Sequence, residues 1–545
     1  MLNKRVTFLA AIFCLFGLTL IIFGCANRQL PQGGPRDHDP PKLLKATPPN
    51  ETRFFKAKVI QLDFDEFFKL TNTYTEITMS PAPAKTPDYK IKNKSLIITL
   101  KDSLEKNTTY VINFGKAIAD VNESNLLKNF TYVFSTGAHI DSLSLSGKVI
   151  NTVTGEREKE ATVMLFTLKQ DSTNFGKKRP TIFTTTDTAG NFSLNNLHPD
   201  TYRLYALKEK TPNKIYDKDD ELIAFNTKDI HLTKDTENIQ LKLFQQTPTK
   251  LRIDKKFDLD GKILFTFNKQ LNNPSVKVTY PPGYDEQKIV DISKTKDTAI
   301  VFMKKMDFDS IRFAFFDNNK PLDTIYLRKG KKESFTRTLG FLYNTSNDKL
   351  RPNTDILIKA NFPIDSFEPA LINLKEDSTD ISNFTVTKDT TDARVLRLNY
   401  RWHQVSNYTL ILNADAVTDI YGDKNRRNLK RFTVDKPENY SLLTLTTTVP
   451  DTGKQYIVEL LTDRGVKLRS DVITKNTSII YKNYINGKYK VRVIYDANKN
   501  GKWDSGNVKQ RIQPENIWVN ETIITLRPNW DQVTPIVIPK EPVTP

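Results

Sequence analysis

The residues best placed by type and spacing to do chemistry in this 545-residue sequence run Asp496-Ala497-Asn498-Lys499-Asn500-Gly501-Lys502-Trp503-Asp504. Asp496, Asn498 and Asn500 alternate, so a turn brings their side-chain oxygens to one side. Gly501 permits the sharp bend, the carbonyl of Lys502 offers another oxygen, and Asp504 stands at the ninth place of a calcium loop. The twelfth place is Asn507, not a Glu that binds through both oxygens. With formal charge from Asp496 and Asp504 alone, calcium is expected to bind weakly, with Kd on the order of 10⁻⁴–10⁻³ M. The competing reading is a metal-free loop in which Asn and Asp side chains bond their own backbone. The second chemical position is Cys25, one of two cysteines; the other, Cys14, lies in the apolar run before it.

No other group of residues assembles a reaction. Asp63, Asp65 and Glu66 are dense enough to suggest a pair of glycosidase carboxylates. Strand alternation, however, sends Ile60, Leu62 and Phe64 to one face and leaves Asp63 and Asp65 facing solvent. The five histidines, His38, His139, His198, His231 and His403, are scattered without metal spacing. No G-x-S-x-G, H-E-x-x-H or phosphate-binding glycine loop occurs. Trp402, Trp503, Trp518 and Trp530 have surfaces that stack on sugars, but their irregular spacing fits core and turn packing better. The sequence therefore reads as non-catalytic.

The elements that must carry these residues begin with a leader. Lys4 and Arg5 precede an apolar stretch from Val6 to Phe23, and Gly24 stands before Cys25. A charged start, an apolar middle and a small residue before the cut describe a signal peptide over 1–24. The 18 residues from Val6 to Phe23 nearly suffice to span a bilayer, so an uncleaved anchor is the alternative. Gly24-Cys25 resembles the lipobox of bacterial lipoproteins. That resemblance implies cleavage after Gly24, diacylation of the Cys25 thiol and acylation of the new amino group. Residues 25–39 are rich in Gly, Pro and polar types and read as a tether.

From residue 40 onward, short alternating runs bounded by Asn, Asp, Gly and Pro predict an all-β chain of tandem sandwiches. Val59-Ile60-Gln61-Leu62-Asp63-Phe64 is representative, and 32 Phe with 20 Tyr favour strands. Two internal repeats divide the chain. Ile60–Glu66 and Tyr110–Phe114 return as Ile356–Phe362 and Tyr408–Leu412, with a shorter echo at Ile263–Lys269. These stretches, closing at Phe134-Ser135-Thr136-Gly137, resemble the bacterial Ig-like domain, expected at 40–137, at 336–436 and, more distantly, at 249–335. The second repeat lays Tyr202–Leu207 over Tyr489–Ile494 at an offset of 287. Its landmarks, among them Gly147-Lys148-Val149 and Asp187-Thr188-Ala189-Gly190-Asn191-Phe192, resemble the carboxypeptidase regulatory-like (transthyretin-like) sandwich. That non-catalytic fold is expected at 140–247 and 437–545, the latter with a Pro-rich tail.

Net charge is +18, from 81 Lys and Arg against 63 Asp and Glu. The basic residues are dispersed and no recognition motif accompanies them, so a nucleic-acid partner is not expected. The whole arrangement resembles a Bacteroidetes-type outer-membrane lipoprotein. The resemblance implies a chain held to the outer membrane by its lipid, on the periplasmic or the cell-surface side. Five modules without a catalytic set, with exposed edge strands, are expected to act as a scaffold or accessory subunit for an outer-membrane β-barrel or another envelope protein, for example in membrane-protein assembly or secretion. A surface adhesin or glycan binder is the other reading. No cofactor is expected beyond the calcium of the loop, and the sandwiches are expected to follow one another as a beaded array with exposed edge strands.

Overall fold

The computed structural model describes residues 37–83, 85–218, 220–258, 260–329, 335–404 and 406–542. The expectations for the leader, for Cys25 and for the tether as far as residue 36 lie outside these residues. The described chain is an all-β, multi-domain sandwich protein. Its α-helices among the described residues are two short ones, Thr73–Glu76 and Leu168–Asn174. It divides into two compact units, residues 1–140 and 141–545.

In the first unit the strand Val59–Phe64 shows why the sequence folds as it does. Ile60, Leu62 and Phe64 are buried while Val59 and Gln61 are exposed, the two-residue period of a strand with one wet face. Leu43–Thr47, Val59–Phe64, Ser95–Thr99 and Asp88–Lys92 lie side by side in that order, all antiparallel. Thr131–Ser135, Thr109–Asn113 and Thr78–Ser80 form the second sheet. Side chains from both, including Leu62, Ile98, Ile112 and Phe134, share one core. Each such buried side chain contributes roughly 1.5–3 kcal/mol.

The second unit repeats this order twice. Ile253–Phe257, Ile263–Phe267, Thr298–Met303 and Lys288–Ile292 form one such four-stranded sheet, with Pro274–Tyr280, Ser310–Asp317 and Lys320–Arg328 as its companion. Phe341–Tyr343, Ile356–Ala360, Val395–Asn399 and Thr385–Lys388 form the other, with Asn428–Val434, Asn407–Leu412 and Ile372–Glu376 opposite. The four-plus-three strand order is that of an immunoglobulin sandwich, and in the sandwich at 341–434 Lys349–Leu350 and Thr379–Ile381 flank the second sheet and bring it to five strands. A tyrosine corner marks two of these sandwiches: Tyr110 Oη accepts the Glu105 N–H at 2.8 Å and Tyr408 Oη accepts the His403 N–H at 2.7 Å.

The remaining two sandwiches correspond strand for strand. In one, Ile182–Thr185, Thr162–Thr167 and Asp200–Lys208 lie in order, and Asp200–Lys208 also carries Leu222–Phe225 and Ile230–Leu232. In the other, Lys467–Ile473, Gln455–Thr462 and Gly487–Asp496 do the same, with Ile517–Val519 and Ile524–Leu526. Against these lie Thr236–Gln245, Leu143–Asn151, Asn191–Leu197 and Gln532–Val537, Tyr440–Thr448, Thr477–Ile485, and in the first sandwich Leu222–Phe225 also pairs with Thr236–Gln245 and joins its strands into one eight-stranded sheet. In both, the first and last strands run parallel. The aligned tyrosines bond alike: Tyr202 Oη donates to the His198 carbonyl at 2.8 Å and Tyr489 Oη to the Ile485 carbonyl at 2.5 Å.

Within the second unit the sandwiches are not separate beads. Phe302, from the sheet around Thr298–Met303, is buried in the core of the sandwich at 341–434, and Arg394 pairs with Asp291 across the same joint. The final sandwich turns back onto the one at 143–245. Val508 is buried in a cluster with Met164, Phe183, Phe225 and Phe244, against which Trp503 also packs. The pairs of the second joint lie more than 250 positions apart and Arg394 and Asp291 lie 103 apart, separations that no local pattern encodes.

Candidate functional site

The strand Gly487–Asp496 delivers Asp496, 1% exposed, to the start of the loop identified in the sequence. Asp496 Oδ1 accepts the Asn500 N–H at 3.1 Å and its Oδ2 accepts the Gly501 N–H at 2.8 Å. Asn498 Oδ1 and Asn500 Oδ1 accept the N–H groups two residues on, at 3.1 and 2.8 Å. Gly501 takes φ +74°, the left-handed region where a Cβ is strained. Asp504 Oδ2 accepts from the Asn500 side chain at 2.7 Å and also from that of Asn498. Lys502 turns its ammonium outward to Asn272. The five residues singled out in the sequence thus do share one loop.

Glu515 was missed by sequence reasoning. It lies well beyond the twelfth place, yet it closes the loop. Oε1 accepts the Ala497 N–H at 2.8 Å, Oε2 accepts the Asp504 N–H at 3.0 Å, and the Glu515 carbonyl accepts Trp503 Nε1 at 3.0 Å. Burial, then the charges of Asp504 and Asp496, hold its pKa above the usual carboxylate range against the two backbone donors. The available signal was the partial repeat. In the paired sandwich Glu209 Oε1 accepts the Asn213 N–H at 2.8 Å, as Asp496 does from Asn500. Glu221 Oε2 accepts the Asp217 N–H at 3.0 Å, as Glu515 does from Asp504.

This oxygen set has the chemistry of a hard-cation site and lacks a nucleophile beside a base. Among the described residues no group of three or more His, Cys, Asp or Glu side chains is arranged to hold a metal ion. What the loop visibly positions is the segment after it. Val508 N–H donates to Gln246 Oε1 at 2.8 Å, Arg511 Nε to the Thr227 carbonyl at 3.1 Å, and Gln513 Nε2 to the Phe225 carbonyl at 2.7 Å. Ser505 Oγ accepts the Thr247 N–H at 2.8 Å. The loop is the root of the clasp between two sandwiches.

The other candidates are held in structural bonds. Asp63 accepts from Ser95 Oγ at 2.6 Å and Gln61 Nε2 at 2.7 Å, which lowers its pKa, and Asp65 accepts the Lys42 N–H at 2.8 Å. Glu66 is raised by burial and then by Asp120 and Asp65. His198 faces Asp141 at 3.2 Å, His231 faces Thr201 at 2.9 Å and His403 faces Glu376 at 2.8 Å, so no two histidines meet through these bonds. Burial raises Glu376, but bonds from Ser406, Tyr408, His403 and Tyr400 outweigh it and bring its pKa to about 2. Trp402 donates to the Thr354 carbonyl at 3.0 Å, and Trp518 packs half-buried against the core of the final sandwich. Trp530 stands apart at 61% exposure.

Residues 37–136 match the family model of the bacterial Ig-like domain. Among solved structures, a single-substitution variant of BcpA, the major pilin subunit of Bacillus cereus, is 11% identical over 73% of this chain and 99% of its own, with a TM-score of 0.13. The surface layer protein SbsC, domains 1–6, is 9% identical over 91% of this chain and 67% of its own, with a TM-score of 0.15. A streptococcal ancillary pilin is 11% identical over 46% of this chain and 78% of its own, also at 0.15. Scores this low put no weight on the arrangement of domains. No curated protein matches the chain.

Proposed function

We propose that this chain is a non-catalytic scaffold, anchored to a bacterial outer membrane through lipid on Cys25, which serves as an accessory subunit of an envelope protein complex. The observation that carries this reading is the clasp from Ser505 to Gln513, which fastens the last sandwich to the one at 143–245 and turns consecutive modules into one preformed surface. The strand-for-strand match of those two sandwiches supports the regulatory-like assignment for 140–247 and 437–545, and their offset of 287 supports a duplication. Lys467–Ile473 lies at a sheet edge with Leu468 and Val472 exposed, the kind of strand that adds to a partner by β-augmentation. Calcium, held weakly by Asp496, Asn498, Asn500, Asp504 and the Lys502 carbonyl, enters this proposal as a fastening for the clasp and not as a catalyst.

The test is crosslinking in intact cells followed by native isolation of the full chain, alongside its Cys25→Ala variant. Recovery of the wild type in the membrane fraction with an outer-membrane β-barrel or another envelope protein, and release of the variant to the soluble fraction, is the expected result. Isolation of the wild type alone, or unchanged membrane attachment of the variant, overturns it.

A further inference from the structure

We infer that a groove between the last two sandwiches is a binding site for a neutral oligosaccharide, with Trp530 as its stacking platform. The groove encloses about 630 Å³, and Trp530, Tyr440, Asn353, Asn483, Asn529 and Lys482 line it. That volume falls within the ~300–1,000 Å³ typical of small-molecule sites.

The lining is unusual for being unspent. Trp530 is bonded through its backbone N–H to the Arg527 carbonyl at 3.3 Å, while its indole, 61% exposed, makes no hydrogen bond or ring contact among the described residues. The side chains of Asn353, Asn483 and Asn529 likewise have no partner among the described residues, and all three are exposed. Their φ angles of 55°, 58° and 54° are left-handed, which accounts for Asn at each place: Asn353 and Asn529 in turns, and Asn483 at a bulge in the strand Thr477–Ile485. Local backbone geometry does not account for three such asparagines, from three separate stretches of sequence, opening onto one groove beside an unburied indole.

The occupant follows from what these groups offer. A sugar ring has an apolar face, which an indole covers, and a rim of hydroxyls that both donate and accept. A carboxamide likewise does both at once, through its carbonyl oxygen and its NH₂ group. Lys482 and Asp531 contribute one charge of each sign to the lining, so the groove does not select an anion or a cation. Of the strands at the groove, Tyr440–Thr448 already has a neighbour on each side, whereas Thr477–Ile485 is a sheet edge, so a peptide adding there as a strand is the competing occupant that the test sets against the sugars. This inference does not rest on the scaffold reading or on the lipid.

The test titrates the full chain with cellohexaose, xylohexaose, maltohexaose, mannohexaose and chitohexaose, reading tryptophan emission and heat of binding. At least one sugar should give a saturable shift. Trp530→Ala should weaken its binding at least tenfold, and Asn353→Gly with Asn483→Gly should weaken it further, with the melting temperature unchanged because the indole is exposed and glycine accepts the left-handed backbone. The inference is overturned by no saturable shift with any of the five, or by a shift that survives Trp530→Ala. It is also overturned if a Pro-rich peptide, and none of the sugars, binds in a Trp530-dependent way.

Discussion

Gly506 lies so close to Phe244 that a Cβ built on it would stand 2.6 Å from the ring's Cζ, and as close to the Ile512 carbonyl oxygen. A residue of the clasp and a residue of the sandwich it grips thus meet backbone to ring, across 262 positions of sequence. The contact needs a glycine for space, not for backbone angle.

Gly506→Ala is accordingly expected to loosen the clasp. Overpacking a close contact costs about 1–3 kcal/mol, and urea denaturation should show a loss of that size with Trp503 emission shifting first. Gly340→Ala, where nothing lies within 4 Å of the added carbon, is the control and should leave stability unchanged. Equal effects of the two substitutions would contradict the docking.

Glu376 supplies a pH test. Its folded pKa is depressed from 4.5 to about 2, so its contribution is complete above the unfolded value and is lost as pH falls toward 2. The full shift corresponds to about 3 kcal/mol. Glu376→Gln should be less stable than wild type by about that amount at pH 7, with the two converging near pH 2. A gap that stays constant across this range would remove the assignment.

The two corner tyrosines should differ. Tyr110 Oη accepts a backbone N–H, whereas Tyr408 Oη also donates to the Glu376 carboxylate at 2.8 Å. Tyr110→Phe is expected to cost about 0.5–1.5 kcal/mol and Tyr408→Phe about 1.5–3 kcal/mol, because bonds to a charged acceptor are stronger. Thermal unfolding of both variants checks the order.

The calcium proposal has its own readout. With Kd on the order of 10⁻⁴–10⁻³ M, calcium at about 10 mM should stabilise the native chain by about 1.4–2.7 kcal/mol relative to chelator. Asp504→Asn should abolish the gain. An unchanged melting temperature for the wild type would leave the loop held by its hydrogen bonds alone.

Strand identity was legible because alternation is local: Ile60, Leu62 and Phe64 declare their face within six residues. The offset between Tyr202 and Tyr489 was equally readable, since duplicated turns keep their spacing even when side chains change. The loop at Asp496 could be read for its first nine positions. Glu515 could not, because the chain leaves to form the clasp before returning, and a linear motif has no place for that excursion. The clasp itself joins Gln513 to Phe225 by shape and stray polar groups. The groove at Trp530 was hidden for a related reason, since exposure of an indole depends on which modules meet beside it.

The parallel first and last strands of the sandwich at 143–245 are joined through register pairs running from Leu145 with Thr236 to Asn151 with Leu243. Its incoming and outgoing chain therefore depart from opposite ends of one ladder. Tension applied between those ends slides the two strands along each other and strains every rung together, where an antiparallel hairpin would unzip one rung at a time. Stretched between those two ends, that sandwich would carry the load first through this pair of strands.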